Sequence, residues 1–196
     1  MKRLIALALT VLLPGLALAG TSSWTGDPMH TDATFAVKHM VISTVRGHFG
    51  KLTWKMQLDD EDWTKSRVEA TVDVSTIDTR VPGRDADLRS PNFFDVAKYP
   101  NMTFKSTKVQ KRGDDGLEVT GDLTIKDTTR PVTFDVTYTK PITGGRGEIR
   151  RGFTARGKIN RKEFGLLYSK AVEAGPVVGD QVDIEIDAEA IKDAPK

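Results

Sequence analysis

The sequence of 196 residues contains no cysteine, and this absence removes several classes of protein at once. Without cysteine the chain has no disulfide scaffold, no thiol nucleophile and no cysteine-ligated metal site. Stability must then come from a continuous apolar core, and a chain of this length is large enough to build one. Hydrophobic residues make up 38% and charged residues 29%, which is the composition of a globular protein.

Long hydrophobic runs are also lacking, apart from one short run near the N-terminus. Lys2 and Arg3 precede an apolar run over 4–13 and a small-residue cleavage site at Ala17-Leu18-Ala19. This order of segments predicts a secretory signal peptide over residues 1–19. Because the apolar run has about half the length that a membrane-spanning helix needs, we expect export without stable membrane insertion.

The third feature that is lacking is an excess of charge of one sign. Removal of the signal peptide lowers the 29 basic residues to 27, which equals the 27 acidic residues. A neutral chain has no general electrostatic attraction for nucleic acid or for an anionic membrane surface. We therefore expect no nucleic-acid partner. Residues 20–196 are predicted to form one domain, since no linker, repeat or heptad divides them.

Beyond residue 30 the sequence contains a strict alternation of apolar and polar residues. In 52–58, Leu, Trp, Met and Leu alternate with Thr, Lys and Gln, and in 182–189 apolar residues alternate with acidic ones. The same alternation recurs at 35–39, 68–74, 102–106, 117–125, 132–138 and 153–159. Strands with one dry and one wet face favour antiparallel pairing. About eight such strands need closure or a second sheet to hide their edges, so the chain is predicted to be all-β.

The connection over 80–100 carries the one helix signal in the sequence. Ser90 followed by Pro91 suits an N-cap and a first helical position that lead into 92–96. A second turn of helix is predicted over 84–89. We therefore expect one or two short helices in this connection.

A barrel of this size either fills its interior with side chains or holds a ligand. Ala70, Ala155 and Gly157 fall on inward faces of the predicted strands. Such small residues either leave space for a ligand or accommodate a large neighbouring side chain. The alternation alone favours neither interpretation.

Several ordered strings are more specific than the alternation. They include Phe35-Ala36-Val37-Lys38-His39-Met40, Val45-Arg46-Gly47-His48-Phe49-Gly50 and Ile159-Asn160-Arg161-Lys162-Glu163-Phe164-Gly165, together with 27–30, 75–79, 84–96, 119–125 and 178–180. In this order, from about Trp24 to Ala190, they resemble the YceI-like family, whose members are exported, lipocalin-like barrels associated with the binding of polyisoprenoids and other lipids. The resemblance implies an antiparallel lipocalin-like β-barrel with a long apolar cavity, capped by the segment after 75–79. It also implies a bacterial periplasmic location.

The resemblance and the inward phase of the strands together give a set of expected ligand-binding residues. They are Phe35, Val37, His39, Arg46, Leu52, Trp54, Ile77, Leu88, Phe93, Phe94, Met102, Phe104, Leu123, Phe134 and Phe153. An isoprenoid or fatty-acyl ligand needs apolar walls and little else. Burial of each five-carbon unit contributes roughly 3–4 kcal/mol.

Arginines near the expected cavity mouth are candidates for contact with an anionic head group. Arg46, Arg84 and Arg89 qualify because a guanidinium donates bidentate hydrogen bonds to phosphate. The alternative is that Arg84 pairs with Asp85 or Asp87 and that Arg89 is solvated.

The three histidines, His30, His39 and His48, are spaced nine residues apart, which matches no compact metal motif. No carboxylate partner for them is evident, and we expect neither a metal nor a cofactor. His39 is in phase with Phe35 and Val37 and is predicted to point inward, as a buried neutral side chain or as a polar contact in the cavity.

The function expected from these features is the sequestration or transport of a long-chain apolar lipid, without catalysis. One alternative is a stress-related periplasmic interaction protein with a filled barrel. The other is a small enzyme that uses His39 in a lipid pocket. A homodimer is a further expectation, because Phe93 and Phe94 would rim an exposed mouth.

Overall fold

The computed structural model describes residues 20–114, 116–168, 171–172 and 175–194, and the predicted signal peptide lies outside them. The strands are β1 Thr21–His39, β2 Ser43–Phe49, β3 Leu52–Asp59, β4 Arg67–Asp73, β5 Ile77–Asp78, β6 Asn101–Arg112, β7 Gly116–Ile125, β8 Thr128–Tyr138, β9 Ile142–Thr143, β10 Ile149–Asn160, β11 Ala171–Val172, β12 Gly175–Pro176 and β13 Val178–Lys192. The α-helix is α1, Pro82–Arg89, and 3₁₀ helices span Trp63–Lys65, Val74–Thr76 and Arg161–Phe164.

Eight strands close into an antiparallel barrel, which confirms the prediction of an all-β, lipocalin-like barrel. The order is β13-β10-β8-β7-β6-β4-β3-β1, and pairing of β1 with β13 completes the circle. The long strand β1 changes partner along its length. Its first half pairs with β3 through Thr21 and Asp59, and its second half pairs with β2 through Val37 and Val45.

The two ends of the barrel carry different elements. Strand β10 runs from one end, at Ile149, to the other, at Asn160. The 3₁₀ helix Trp63–Lys65 lies near the start of β10, where the Trp63 ring stacks on Tyr138 at the end of β8. We call this the Trp63 end. Helix α1 and the 3₁₀ helix Arg161–Phe164 lie at the opposite end, which we call the helix end.

The helix in the 80–100 connection begins earlier than one of the sequence signals indicates. The predicted helix over 84–89 is confirmed within α1, but the predicted N-cap at Ser90 is wrong, because Ser90 is the C-cap of α1. A residue before proline favours extended backbone, and Ser90 has φ −74° and ψ 171°, so Pro91 ends this helix instead of starting one. Pro82 occupies the first turn. In the described ranges no helix is long and apolar enough to cross a membrane.

Large aromatic rings lie flat against the barrel wall because glycines on neighbouring strands leave room for them. An alanine Cβ at Gly157 would come within 2.6 Å of the Phe134 ring, and one at Gly121 within 2.4 Å of the Phe104 ring. The same relation joins Phe35 to Gly47 and Trp54 to Gly26. The small inward residue Gly157 therefore accommodates a large neighbour, and the rings are held away from the barrel axis.

Candidate functional site

The barrel encloses an apolar cavity of about 290 Å³ that extends from the Trp63 end to the helix end. This volume is near the lower limit for small-molecule sites, about 300–1,000 Å³. Polar side chains are rare in its lining and are limited to Thr34, Ser66, Arg67, Thr103 and Arg161. Ala70 and Ala155 line the cavity as well, so these small inward residues leave space.

Most of the residues expected from the sequence to bind ligand come together around this cavity. Thirteen line it: Phe35, Val37, Leu52, Trp54, Ile77, Leu88, Phe93, Phe94, Met102, Phe104, Leu123, Phe134 and Phe153. Their rings pack edge to face, with centroids 5.4 Å apart for Phe104 and Phe134 and 5.7 Å apart for Trp54 and Phe153. The lining thus offers carbon surface and aromatic faces but few hydrogen-bond partners.

The other two expected residues, Arg46 and His39, lie outside the cavity lining. Arg46 is exposed and pairs with Ala36 across β1 and β2, on the face opposite to Gly47 and Phe49. The prediction for Arg46 is wrong in placement because the two-residue period of β2 directs it outward. His39 ends β1, beyond an irregularity in the pairing with β13 that follows Val37, so its phase with Val37 does not carry it into the cavity.

Trp63 and Arg161 line the cavity although they carry no alternation signal and were not expected from the sequence. Trp63 lies in a 3₁₀ helix between β3 and β4, and Arg161 begins the 3₁₀ helix after β10. Arg161 is only 3% exposed. Its guanidinium donates to the carbonyls of Gly179 at 2.8 Å, Val178 at 3.1 Å and Leu166. Arg161 is therefore a buried residue bonded to backbone carbonyls, and burial lowers the pKa of Arg161.

The helix end of the cavity is covered by the segment over 80–100. Leu88, Phe93 and Phe94 from this segment face the cavity, and the Phe93 ring stacks on Tyr168 with centroids 4.8 Å apart. Phe93 is only 8% exposed. It therefore does not form part of an exposed rim, whereas Phe94 is half-buried, and the homodimer stays a prediction.

Polar contacts, of which those of Asp85 are buried, hold this covering segment against the barrel. The Asp85 carboxylate accepts from the backbone N–H of Thr79 at 2.9 Å and from the Thr79 hydroxyl at 2.5 Å. Arg84 donates to the Thr79 hydroxyl at 2.7 Å, and Arg89 donates to the Ser75 carbonyl at 2.7 Å. Both arginines therefore bond within the segment and its anchor. The suggested pairs of Arg84 with Asp85 or Asp87 do not form.

The Trp63 end contains a different arrangement around Arg151. Its guanidinium carbon lies 4.7 Å from the Trp63 ring centroid and 5.8 Å from the centroids of Trp24 and Tyr138. Burial lowers the pKa of Arg151, and electrostatic interactions with Tyr138 and Asp60 oppose that shift. Arg151 and these three rings are called the aromatic box below.

An acidic cluster lies near the same end. The side chains of Asp27, His30 and Glu189 place ligand-type atoms within 4.8 Å of one another. Arg150 Nη1 lies 2.7 Å from Asp27 Oδ2 and 3.0 Å from Glu189 Oε2, so a guanidinium already supplies the positive charge there. His30 Nδ1 lies 2.9 Å from Asp27 Oδ2, and the expectation that the histidines have no carboxylate partner is wrong for His30.

Comparison with known proteins connects this geometry to a family. The family model described as the YceI-like domain matches residues 24–190. The chain is 33% identical to Protein YceI of Escherichia coli O17:K52:H18 over 193 residues, covering 97% of this chain and 98% of that one. The crystal structure of Burkholderia cenocepacia BcnA has the same fold, with a TM-score of 0.74, 22% identity and coverage of 84% of this chain and 98% of that one.

A third similar protein is a polyisoprenoid-binding domain from Saccharophagus degradans, implicated in plant cell wall breakdown. Its TM-score is 0.62 at 13% identity, and the match covers 88% of this chain and 99% of that chain. This likeness establishes the shared fold.

Proposed function

The chain belongs to the YceI-like family, and we propose that it is an exported, periplasmic protein that binds an isoprenoid or another long-chain apolar lipid inside its barrel. The observation that carries this proposal is the apolar cavity itself, which reaches from Trp63 at one end to Phe93 at the other. The polyisoprenoid-binding domain of Saccharophagus degradans, which shares the fold, supports the choice of ligand class.

Burial of carbon surface supplies the affinity in this proposal. Each buried methylene contributes about 0.8 kcal/mol, so three five-carbon units contribute roughly 10 kcal/mol before other terms are counted. Several kcal/mol are lost when the ligand is immobilised, which leaves about micromolar affinity. The aromatic rings keep their positions because glycines lie behind them, so the ligand enters a space that is largely formed in advance.

The segment over 80–100 acts as a lid in this proposal. Leu88, Phe93 and Phe94 would contact the ligand tail, and the bonds of Asp85 to Thr79 would hold the segment in place between binding events. The protein's task is then the sequestration or transport of the lipid, and no chemical step is required of it.

Native mass spectrometry tests this proposal directly. Protein purified under native conditions is expected to carry a discrete lipid mass that solvent extraction removes, and extracted protein is expected to bind added farnesol. A mass equal to the protein alone, together with no uptake of farnesol, would contradict the proposal and favour a filled barrel with an interaction role.

A bulky substitution in the lining provides the matched test. Leu123 lines the cavity, whereas Thr124 beside it is a half-buried residue on the outer face of β7. Leu123→Trp is expected to reduce farnesol affinity at least tenfold while the barrel stays folded, because the indole occupies ligand space. Thr124→Trp is expected to bind farnesol like the wild type. In a barrel without free space, Leu123→Trp would instead destabilise the fold by about 1–3 kcal/mol.

A further inference from the structure

Arg151 contains the one buried polar side-chain atom in the described part of the chain that lacks a hydrogen-bond partner, its Nε. Within the same residues, none of its other donors forms a hydrogen bond or an ion pair with the protein. Leaving a buried donor unpaired is unfavourable, and such groups in native proteins call for an explanation. A ligand that brings an acceptor group to Arg151 is such an explanation.

The surroundings of Arg151 hold the guanidinium in place without using its N–H groups. The rings of Trp24, Trp63 and Tyr138 contact the guanidinium at centroid distances of 4.7–5.8 Å. Stacked aromatic rings interact with the flat face of a guanidinium and leave the N–H groups at its edge free to donate. Asp60, whose charge acts to raise the pKa of Arg151, accepts instead from the Ser22 hydroxyl at 2.9 Å.

Arg151 is also adjacent to the cavity. It lies two residues before Phe153 on β10, so both side chains fall on the inward face of the strand, and Phe153 lines the cavity. Trp63 lines the cavity, and the guanidinium of Arg151 lies over its ring. The aromatic box therefore closes the Trp63 end of the apolar space, with a cation and free donors at its boundary.

We propose that Arg151 binds an anionic head group, a carboxylate or a phosphate, of the lipid whose chain occupies the cavity. This inference rests on the proposed function, and it fixes the orientation of the ligand. The head group lies at the Trp63 end, and the tail extends past Phe134 toward Phe93 under the lid. Charge-assisted, bidentate hydrogen bonds from arginine suit both kinds of head group.

The other arginines do not offer the same chemistry. Arg161 also lines the cavity, but its donors are used by backbone carbonyls of Gly179, Val178 and Leu166. Arg84 and Arg89 donate to the residues that anchor the lid, and Arg46 lies on the outer face. Arg67 also borders the cavity, but its side chain is exposed and, one residue before the inward Val68, belongs to the outer face of β4. Arg151 thus combines an inward position at the cavity with unused donors.

Binding measurements with paired ligands test the inference. Each pair shares a chain and differs in the head group: farnesyl monophosphate against farnesol, and oleate against oleyl alcohol. Wild-type protein is expected to bind the anionic member of at least one pair about 10- to 100-fold more tightly, the range for hydrogen bonds to a charged group. Preference within the first pair alone identifies an isoprenoid phosphate, and preference within the second alone identifies a fatty acid.

Two variants at Arg151 and one control assign the preference to its guanidinium. Arg151→Met should bind both members of a pair equally, and Arg151→Lys should keep part of the preference because the charge remains. Arg156→Met is the matched control, since Arg156 is exposed on the same strand and pairs with Glu185. It should behave like the wild type, and circular dichroism checks that each variant is folded.

The outcomes that overturn the inference are separate from those that overturn the proposed function. Equal binding of both members of each pair by the wild type contradicts a head-group site while leaving the lipid cavity intact. If Arg151→Met keeps the full preference for the anionic ligand, a group other than Arg151 binds the head group. Failure of all four ligands to bind wild-type protein contradicts the proposed function itself.

Discussion

Two arginines face the interior of this barrel from the two ends of one strand, and the structure satisfies only one of them. Arg151 lies near the start of β10 and Arg161 directly after its end, roughly 30 Å apart along the strand. Arg161 donates to three backbone carbonyls and to Asp180 at 3.3 Å. The Arg151 guanidinium lies 4.7–5.8 Å from the centroids of three aromatic rings, and its Nε has no partner among the described residues.

The difference separates a structural guanidinium from one that is available to a ligand. A buried polar network that is fully satisfied makes the backbone around it rigid, and the carbonyls that Arg161 joins belong to the helix end. A buried polar group without all its hydrogen-bond partners lowers the stability of the fold unless a further group bonds to it. Arg161 thus bonds the backbone together at the helix end, whereas Arg151 at the Trp63 end keeps donors available for a polar ligand.

Removing Arg161 is expected to have the largest effect on stability. Arg161→Met leaves the carbonyls of Gly179, Val178 and Leu166 without their donor in a buried position. The loss is expected to be about 3–5 kcal/mol in the free energy of unfolding, because each buried carbonyl left without a donor costs about 1–3 kcal/mol. Urea titration followed by tryptophan fluorescence measures it.

Arg151→Met is the paired control for that experiment. It removes no hydrogen bond within the described protein, and the lost contacts of the guanidinium with Trp63 and the other rings are worth about 1 kcal/mol. Equal destabilisation by Arg161→Met and Arg151→Met would contradict the conclusion that Arg161 stabilises the fold more than Arg151 does.

Gly157→Ala is expected to have an intermediate effect on stability, and it changes the middle of the cavity, between the two ends of the barrel. The new Cβ would lie 2.6 Å from Cδ1 of Phe134, whose ring packs edge to face against Phe104. The ring must move toward the barrel axis, at a cost of about 1–3 kcal/mol in unfolding free energy. Gly145→Ala is the control, because nothing lies within 4 Å of a Cβ there.

The binding readout of Gly157→Ala sharpens the distinction between head and tail. If the ligand tail passes Phe134, affinity for farnesyl monophosphate and for farnesol should fall by the same factor, as measured by titration calorimetry. A change confined to farnesyl monophosphate would show instead that Gly157 acts on the head-group site.

The alternation of residues predicted most of the barrel and of the cavity lining, for a simple geometric reason. The side chains of a strand alternate between faces, so residues such as Leu123 and Phe153 are assigned to the interior by phase alone. Phase also places Arg46 outside, opposite Gly47, once β2 is identified as a strand. Arg46 was chosen because a guanidinium binds phosphate well, although the two-residue period of the strand already directed its side chain outward.

The roles of the two interior arginines could not be predicted, because their surroundings come from distant segments. The acceptors of Arg161 lie in the segments around Leu166 and Gly179, and the rings around Arg151 come from three other elements. No local pattern announces such contacts. The wrong N-cap at Ser90 has a local cause instead, because the residue before a proline favours extended backbone and Ser90 ends α1.

The smallest expected effect concerns the acidic cluster near the Trp63 end and its dependence on pH. Hydrogen bonds from His30, Arg150 and the backbone N–H of Met29 hold the pKa of Asp27 well below its usual range. Because the folded pKa is the lower one, this carboxylate stabilises the fold above the unfolded pKa of about 4, and the contribution is lost as the pH falls below that value.

Asp27→Asn should therefore lower the free energy of unfolding by about 1 kcal/mol at pH 7, and the difference from wild type should shrink between pH 4 and pH 2. Urea titrations at pH 7, 5, 4 and 3 measure that difference. Arg161→Met should show a difference that stays nearly constant from pH 7 to pH 5, because a guanidinium remains protonated there and its main acceptors are carbonyls. A difference for Asp27→Asn that does not change with pH would show that Asp27 acts through its shape and hydrogen bonds, and not through its charge.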